Sequence, residues 1–415
     1  MHTSTLILLL TGIIAVLVAL VVFLVWRMAR KDDELRLKNR VIVDEVERRH
    51  RVIDRAVSLG VNRAALLLSF SLLLVIAACT KEGDTIYQPD PADAASTAPL
   101  VTVIYDPNAL GDGGYNDLIY QGVEQAIREH GLRTMQLSPA TKAEGLAYLQ
   151  TMFLQMEAAQ DTVRRLFIVA AASYDDYLRQ NNSRLEKNAY ADLLYLETKI
   201  PLSGKGSTLY LPFYGAMYEA GAVAPVIAPE VLLVAANPKV ETVKEAVEAF
   251  TEGFRTGYLA ADDQQLVTQY LSDDVAGGFA VADTTAMRLL YQQQWQTWSQ
   301  LMVPVCGGAG STFRRLIEML GGYDYVGIDA TVTSPHCPFS AVKHIDRAVA
   351  LCIGQWLATA GMPKHQVLGL ADGYTELVVH PYTNSHKQAF SKQMTDALLS
   401  KIQNDAIRKE AEYEK

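Results

Sequence analysis

The sequence predicts an α/β protein with two doubly wound, Rossmann-like lobes and an interlobe cleft, preceded by N-terminal membrane segments. Three observations predict it. From Leu100 onwards, short β-branched runs alternate with amphipathic stretches of helical spacing, the pattern of parallel sheets covered on both faces by helices. The alternation continues through most of the remaining chain, which is too many strands for one small sheet. The longest uncharged apolar runs all lie before Cys79.

Composition sets the outer limits. At roughly 100–200 residues per domain, 415 residues make two or three units. Hydrophobic residues are 50% and charged residues 20%, which excludes a disordered chain. Lys+Arg is 37 against Asp+Glu 46, a net charge of −9. A groove that neutralises phosphates is usually basic, so no nucleic-acid partner is expected.

The elements follow in order. Leu6–Trp26 is uncharged and has about the 20 residues that cross a hydrocarbon layer. Arg27, Arg30 and Lys31 follow at once, which puts this end in the cytoplasm. Residues 31–60 are charged, with Ile42, Val43, Val46, Val52, Ile53 and Val57 on one helical face. Residues 1–60 are therefore expected to be a transmembrane helix plus a charged cytoplasmic helix. A second apolar run, Ala64–Ala78, follows Arg63 and ends at Cys79. It is short for a span and has the length of a signal-peptide core. Leu74-Val75-Ile76-Ala77-Ala78-Cys79 resembles the bacterial lipobox, in which small residues precede a cysteine that is lipidated. This resemblance implies a lipoprotein signal peptide over 61–79 and lipidation of Cys79; the bland alternative is a cysteine in an apolar helix. Residues 80–99, rich in Pro, Ala, Asp and Ser, read as a polar tether. Two origins fit the unusual sixty-residue leader: a start site placed too early, with Val61-Asn62-Arg63 as the true signal start, or a fusion anchored at both ends. The first is the expectation.

Beyond the tether, residues 100–415 are expected to form the two lobes, the first about 100–225 plus a later returning segment, the second about 226–330. Strands are expected at 100–106, 166–171, 209–212, 231–236, 278–281, 301–305 and 325–329. Helices are expected at 116–130, 240–258, 284–296, 311–320 and 340–359. The tail from Lys401 to Lys415 reads as a solvated charged helix end. Ligands in such folds bind beyond the carboxyl ends of the strands. The polar residues collect there: Gly111-Asp112-Gly113-Gly114-Tyr115-Asn116-Asp117 after the first strand, Ser173-Tyr174-Asp175-Asp176 after the second, and Cys306-Gly307-Gly308-Ala309-Gly310-Ser311 after 301–305. On spacing alone Asn116 is a helix N-cap, and Gly308 belongs to a tight turn without the Lys-Ser/Thr of a phosphate loop. Asp329 at a strand tip and Lys343 nearby suit a ligand with several hydroxyls; alone, Lys343 reads as a solvated helix lysine.

Taken together, these residues resemble the basic-membrane-protein family of solute-binding lipoproteins, which includes purine-nucleoside receptors of ABC importers. The matching stretches are Gly114-Tyr115-Asn116, Phe250-Thr251-Glu252-Gly253-Phe254-Arg255-Thr256-Gly257, Gly307-Gly308-Ala309-Gly310, Val326-Gly327-Ile328-Asp329 and Phe339-Ser340-Ala341-Val342-Lys343-His344-Ile345-Asp346. Tyr210-Leu211-Pro212-Phe213 with Tyr218-Glu219-Ala220-Gly221 fits the family's crossover. The resemblance implies a type I periplasmic-binding-protein-like fold and no enzymatic activity. It implies that Tyr115 stacks on a base, that Asp175 or Asp176 reads the base edge, that Asp329 and Lys343 hold sugar hydroxyls, and that Asn116 positions the ligand. The implied partners are a nucleoside-like solute, an ABC permease and, through the lipid, the cell membrane or outer membrane on its periplasmic or exterior face. The chain departs from the family at Gly111-Asp112-Gly113, at Asp329-Ala330-Thr331 and at Phe339-Ser340.

Three cysteines remain beside Cys79: Cys306, Cys337 and Cys352. A disulfide between two of them is one expectation for an oxidising compartment. No metal-ligand spacing is present and no cofactor is expected. The rival functions are a ligand sensor of the same fold coupled to a signalling partner, and a lipid-anchored enzyme, for which Cys306 or Cys337 with His336 or His344 would be the candidate pair.

Overall fold

The computed structural model describes residues 97–415 except 108, 160–161, 257, 259–263, 276, 298–300, 322, 359–361 and 381–393. The expected membrane segments, Cys79 and most of the tether lie outside the described residues. Among the described residues, no helix is long and apolar enough to cross a membrane.

The first sheet is wholly parallel and has the order β12-β5-β4-β3-β1-β2. Its strands are β1 (Leu100–Ile104), β2 (Arg133–Leu137), β3 (Arg165–Val169), β4 (Ala191–Leu196), β5 (Ser207–Tyr210) and β12 (His365–Val367). Strand β1 lies between β2 and β3, so the winding reverses at its carboxyl end, where open α/β sheets bind ligands. The helices between are α1 (Tyr115–His130), α2 (Lys142–Ala158) and α3 (Asp175–Asn181). Helix α1 buries Ile119, Gly122, Val123 and Ala126 on one face, and stops at Gly131, whose φ of 64° only glycine adopts without strain. That face packs on α8 (Ile345–Ala358), so closely that a Cβ on Gly122 would stand 2.3 Å from the backbone oxygen of Asp346.

The second sheet is also parallel, with the order β7-β6-β8-β9. It comprises β6 (Glu230–Ala235), β7 (Gln265–Tyr270), β8 (Leu301–Val305) and β9 (Asp324–Tyr325). Its helices are α4 (Tyr214–Val223), α5 (Glu241–Phe254), α6 (Asp283–Thr297) and α7 (Gly308–Leu320). All ten residues of α4 are buried, and this all-round burial is why the segment carries no amphipathic period. A third, small sheet joins β10 (Gly327–Asp329), β11 (Phe339–Lys343) and β13 (Thr375–Val379), the last antiparallel. Two apolar cores result, one under the first sheet and one uniting the second sheet with α4, the small sheet and the C-terminal helix α9 (Asp396–Tyr413). The expected architecture of two doubly wound α/β lobes is the one observed.

Several local expectations are corrected. Residues 340–343 are not the start of a helix. They belong to strand β11, buried at every position, and the helix begins at Ile345. A fully buried strand has no alternation and cannot be separated from a buried helix by periodicity. Residues 278–281 form no strand; Gly278 has φ +86° and lies so close to Ala236 that a Cβ would meet its backbone oxygen at 2.1 Å. The strand expected at 325–329 is split at Val326 into β9 and β10, one in each of two sheets. The C-terminal tail is not a solvated end, because α9 buries Ile402, Ala406 and Glu410. Glu410 accepts from the backbone N–H of Gly215 at 2.7 Å and of Leu370 at 2.9 Å. No disulfide forms: Cys306, Cys337 and Cys352 are free and buried.

Candidate functional site

The loop that follows β1 is held by two aspartates. Asp112 is 5% exposed and its carboxylate accepts from the N–H of Gly114 (2.8 Å), Asn116 (3.1 Å) and Asp117 (3.3 Å), and from Asn116 Nδ2 (2.9 Å). Asp117 accepts from the N–H of Gly111 and Gly113, both at 2.7 Å. Asn116 is therefore not the N-cap. Helix α1 starts one residue earlier, at Tyr115, and Asp112 from the preceding loop satisfies its first amides. With its Nδ2 committed to Asp112, Asn116 keeps a buried Oδ1 that has no partner.

Three strand ends converge on this loop. Asp329 ends β10, Lys343 ends β11, and Glu197 directly follows β4. Lys343 Nζ donates to Glu197 Oε2 at 2.5 Å, with side chains only 5% and 11% exposed. The ammonium also stands 4.9 Å from the centre of the Phe213 ring and 6.0 Å from that of Tyr115, within cation–π range. Burial alone would lower the Lys343 pKa, but Glu197 and Asp329 outweigh it and hold the group above the ordinary lysine value. Glu197 is raised, chiefly by burial, with Lys343 offsetting part of that. Burial pushes the Asp329 carboxyl up to about 6; Lys343 opposes this, and repulsion from Asp112 and Glu197 adds to it. Glu197 and Asp329 are also the two non-glycine residues with positive φ among the described residues, at 57° and 66°.

Helix α7 closes the far side. Arg314 Nη2 donates to the backbone oxygen of Asp112 at 2.9 Å, joining the second lobe to the loop of the first. Tyr115, Asp112, Arg314 and Asp329, with Gly307 and Gly310, line a cavity of ≈ 20 Å³. That is room for about one water molecule. Tyr115 OH, from a residue of that lining, and Asn116 Oδ1 and Glu197 Oε1, from residues outside it, are buried with no hydrogen-bond partner. Burial, reinforced by Glu197, Asp106 and Asp329, holds the Tyr115 hydroxyl far above its ordinary pKa, so it is a neutral donor.

The structure brings Tyr115, Asn116, Asp329 and Lys343 together. Neither Asp175 nor Asp176 lines the cavity: Asp175 is paired with Arg179 at 2.8 Å and Asp176 is exposed. The half-buried carboxylate on that side is Asp106, just past β1, which accepts from Ser173 Oγ at 2.8 Å. Gly308 begins α7, but the glycines lining the cavity are Gly307 and Gly310 of the same stretch and Gly114. Lys343 is not a solvated helix residue but a buried strand end. Sequence reading missed Glu197 and Arg314. Strand β4 went unrecognised, and with it its terminal carboxylate; Arg314 was legible only as a basic residue one turn beyond the Gly-rich stretch. The three cysteines are buried and free. Burial pushes Cys337 up to about 11 and Cys352 to about 12, and Cys306 higher still, whereas a reactive thiol needs the opposite shift.

No family model matches the sequence, and no curated protein matches it. Solved structures do. An ABC-transporter solute-binding protein from Aeropyrum pernix matches with a TM-score of 0.55 at 15% identity, over 76% of this chain and 90% of that one. A transcriptional activator of the comK gene from Bacillus halodurans matches with a TM-score of 0.54 at 15% identity, over 73% and 98%. An ABC-transporter solute-binding protein from Conexibacter woesei matches with a TM-score of 0.51 at 14% identity, over 76% and 97%. These likenesses establish the fold, that of periplasmic solute-binding proteins.

Proposed function

We propose that this chain captures a small polar solute in the interlobe cleft and presents the closed form to an ABC importer, tethered to the membrane by lipid at Cys79. One observation carries the reading. Tyr115 OH, Asn116 Oδ1 and Glu197 Oε1 are buried, unpartnered and gathered at strand carboxyl ends. Each unpaired buried polar group costs about 1–3 kcal/mol, a cost that a solute's own donors and acceptors would offset. The solute-binding proteins among the structural neighbours support the same reading at the level of fold. The ≈ 20 Å³ cavity is too small for a solute, so capture requires the lobes to part. The chain passes from β5 to α4 through Leu211-Pro212-Phe213, a short crossing suited to a hinge.

A nucleoside is the first solute to test, with Tyr115 stacking on the base and Asp329 and Lys343 on the sugar. A thermal-shift screen with nucleosides and sugars is the experiment. A bound solute raises the melting temperature by an amount that grows with its concentration. A shift that survives unchanged in both Asp329→Ala and Lys343→Ala would place binding elsewhere. A sensor coupled to a signalling partner is the second reading. It is favoured by one observation, the transcriptional activator among the structures of this fold.

A further inference from the structure

The charges around the cavity do not balance. Glu197 and Lys343 are paired at 2.5 Å. The Asp112 carboxylate takes four N–H donors, and Arg314 lies against the same residue through its backbone oxygen at 2.9 Å. Asp106 accepts from Ser173. Asp329 is left over. It lines the cavity, and no hydrogen bond to its carboxylate is found among the described residues. Burial acts on it first, then attraction from Lys343, repulsion from Asp112 and Glu197, and attraction from Arg314. Lys343 and Arg314 each give one donor to a protein oxygen and neither is hydrogen-bonded to Asp329, while two of the three unpartnered atoms, Asn116 Oδ1 and Glu197 Oε1, can only accept and the third, Tyr115 OH, can also donate.

A cavity wall that carries a carboxylate with no hydrogen-bond partner among the described residues is complementary to a donor head. Resting on the solute-capture reading, we infer that the solute is an organic cation that presents a protonated nitrogen to Asp329. Among the described residues, no group of three or more His, Cys, Asp and Glu is placed to hold a metal ion, so the donor set does not suit a bare divalent cation. Anionic solutes, phosphorylated ones included, meet a surplus of carboxylates and are rejected.

Two sets of probes, each on one scaffold, separate charge from shape. One set is adenosine, its derivative with an amine in place of the primary hydroxyl, and adenosine monophosphate. The other is glucose, glucosamine and glucuronate. Binding is read by thermal shift and calorimetry on the full chain. In a scaffold that binds, the amine is expected to bind about tenfold tighter than its neutral parent, the worth of one charge-assisted contact, and the anion not at all. Asp329→Asn keeps the shape, and asparagine tolerates the positive φ of this position. It should bring the amine down to the affinity of the neutral parent and leave that parent within about twofold. Equal binding of amine and parent, or tightest binding of the anion, overturns the charge inference and leaves solute capture standing. No shift from any of the six probes overturns both.

Discussion

Arg314 Nη2 and the backbone oxygen of Asp112 are 2.9 Å apart although 202 positions separate them in sequence. This hydrogen bond spans the two lobes between two residues that line the cavity. Its donor is charged, and such bonds contribute about 1.5–3 kcal/mol. Arg314→Ala should therefore speed solute release by about tenfold or more and leave the folded state intact, since the residue is only partly buried. Stopped-flow release kinetics would check it. An unchanged release rate would mean that this contact does not hold the closed form.

The Lys343–Glu197 pair is expected to cost more when broken than when replaced. Lys343→Met leaves a buried carboxylate alone, which typically costs about 3–5 kcal/mol. Adding Glu197→Gln removes that charge and should recover more than half the loss. Denaturant unfolding of the two single variants and the double variant gives the coupling. Additive effects would contradict the pairing at 2.5 Å.

Helices α4 and α5 cross at two glycines. A Cβ on Gly221 would stand 2.2 Å from Phe250 O, and one on Gly253 would stand 2.0 Å from Tyr218 O. Both oxygens are backbone, so the helices themselves must move. Gly221→Ala and Gly253→Ala should each destabilise by about 1–3 kcal/mol or more. Gly354, inside α8, is the contrast. A Cβ there meets only the end of the His130 side chain, at 3.7 Å. Gly354→Ala should be neutral or stabilise by up to about 1 kcal/mol through helix propensity. Melting temperatures of the three variants test the difference.

Stability should fall as pH rises above the ordinary carboxylate range. Burial pushes Glu219 up to about 8 and Glu410 to about 7. Both are raised in the fold, so the folded state binds more protons than the unfolded chain, and each rise in pH toward these values costs stability. Burial lowers His365 and His380, which acts in the opposite direction up to the ordinary imidazole pKa. The effect of Glu219 is therefore clearest between pH 7 and 8. Glu219→Gln should flatten the fall of melting temperature in that interval. A variant with the wild-type slope would assign the pH dependence to other groups.

The strands bearing the cleft were legible where they were apolar: β1, β6 and β8 were placed from their apolar runs. Strand β2, with Arg133 and Gln136 among its five residues, and β7, with three exposed positions, were not. Edge strands need not bury both faces, so their sequences do not look like core. Lys343 was placed in the site but on the wrong element, because the unbroken burial of β11 runs into α8 with one residue between. Asp329 was legible as a carboxylate at a strand tip, whereas Tyr115 and Asn116 were pointed to only by the family resemblance. Glu197 and Arg314 were not, since their roles arise from chain segments that meet only in the folded state.

Backbone conformation at the two acids beside Lys343 has a consequence for how this protein can change. Glu197 and Asp329 hold φ values of 57° and 66°, a region that costs a non-glycine residue of order 1 kcal/mol or more. Asparagine or glycine would relax that strain, and each would also remove a buried charge. At Asp329 drift toward a sturdier molecule therefore coincides with loss of the cleft, whereas at Glu197 the relief of strain is outweighed by leaving Lys343 buried and alone. A lineage freed from the need to bind would be expected to lose the Asp329 carboxylate first, and to keep Glu197 for as long as Lys343 needs a partner.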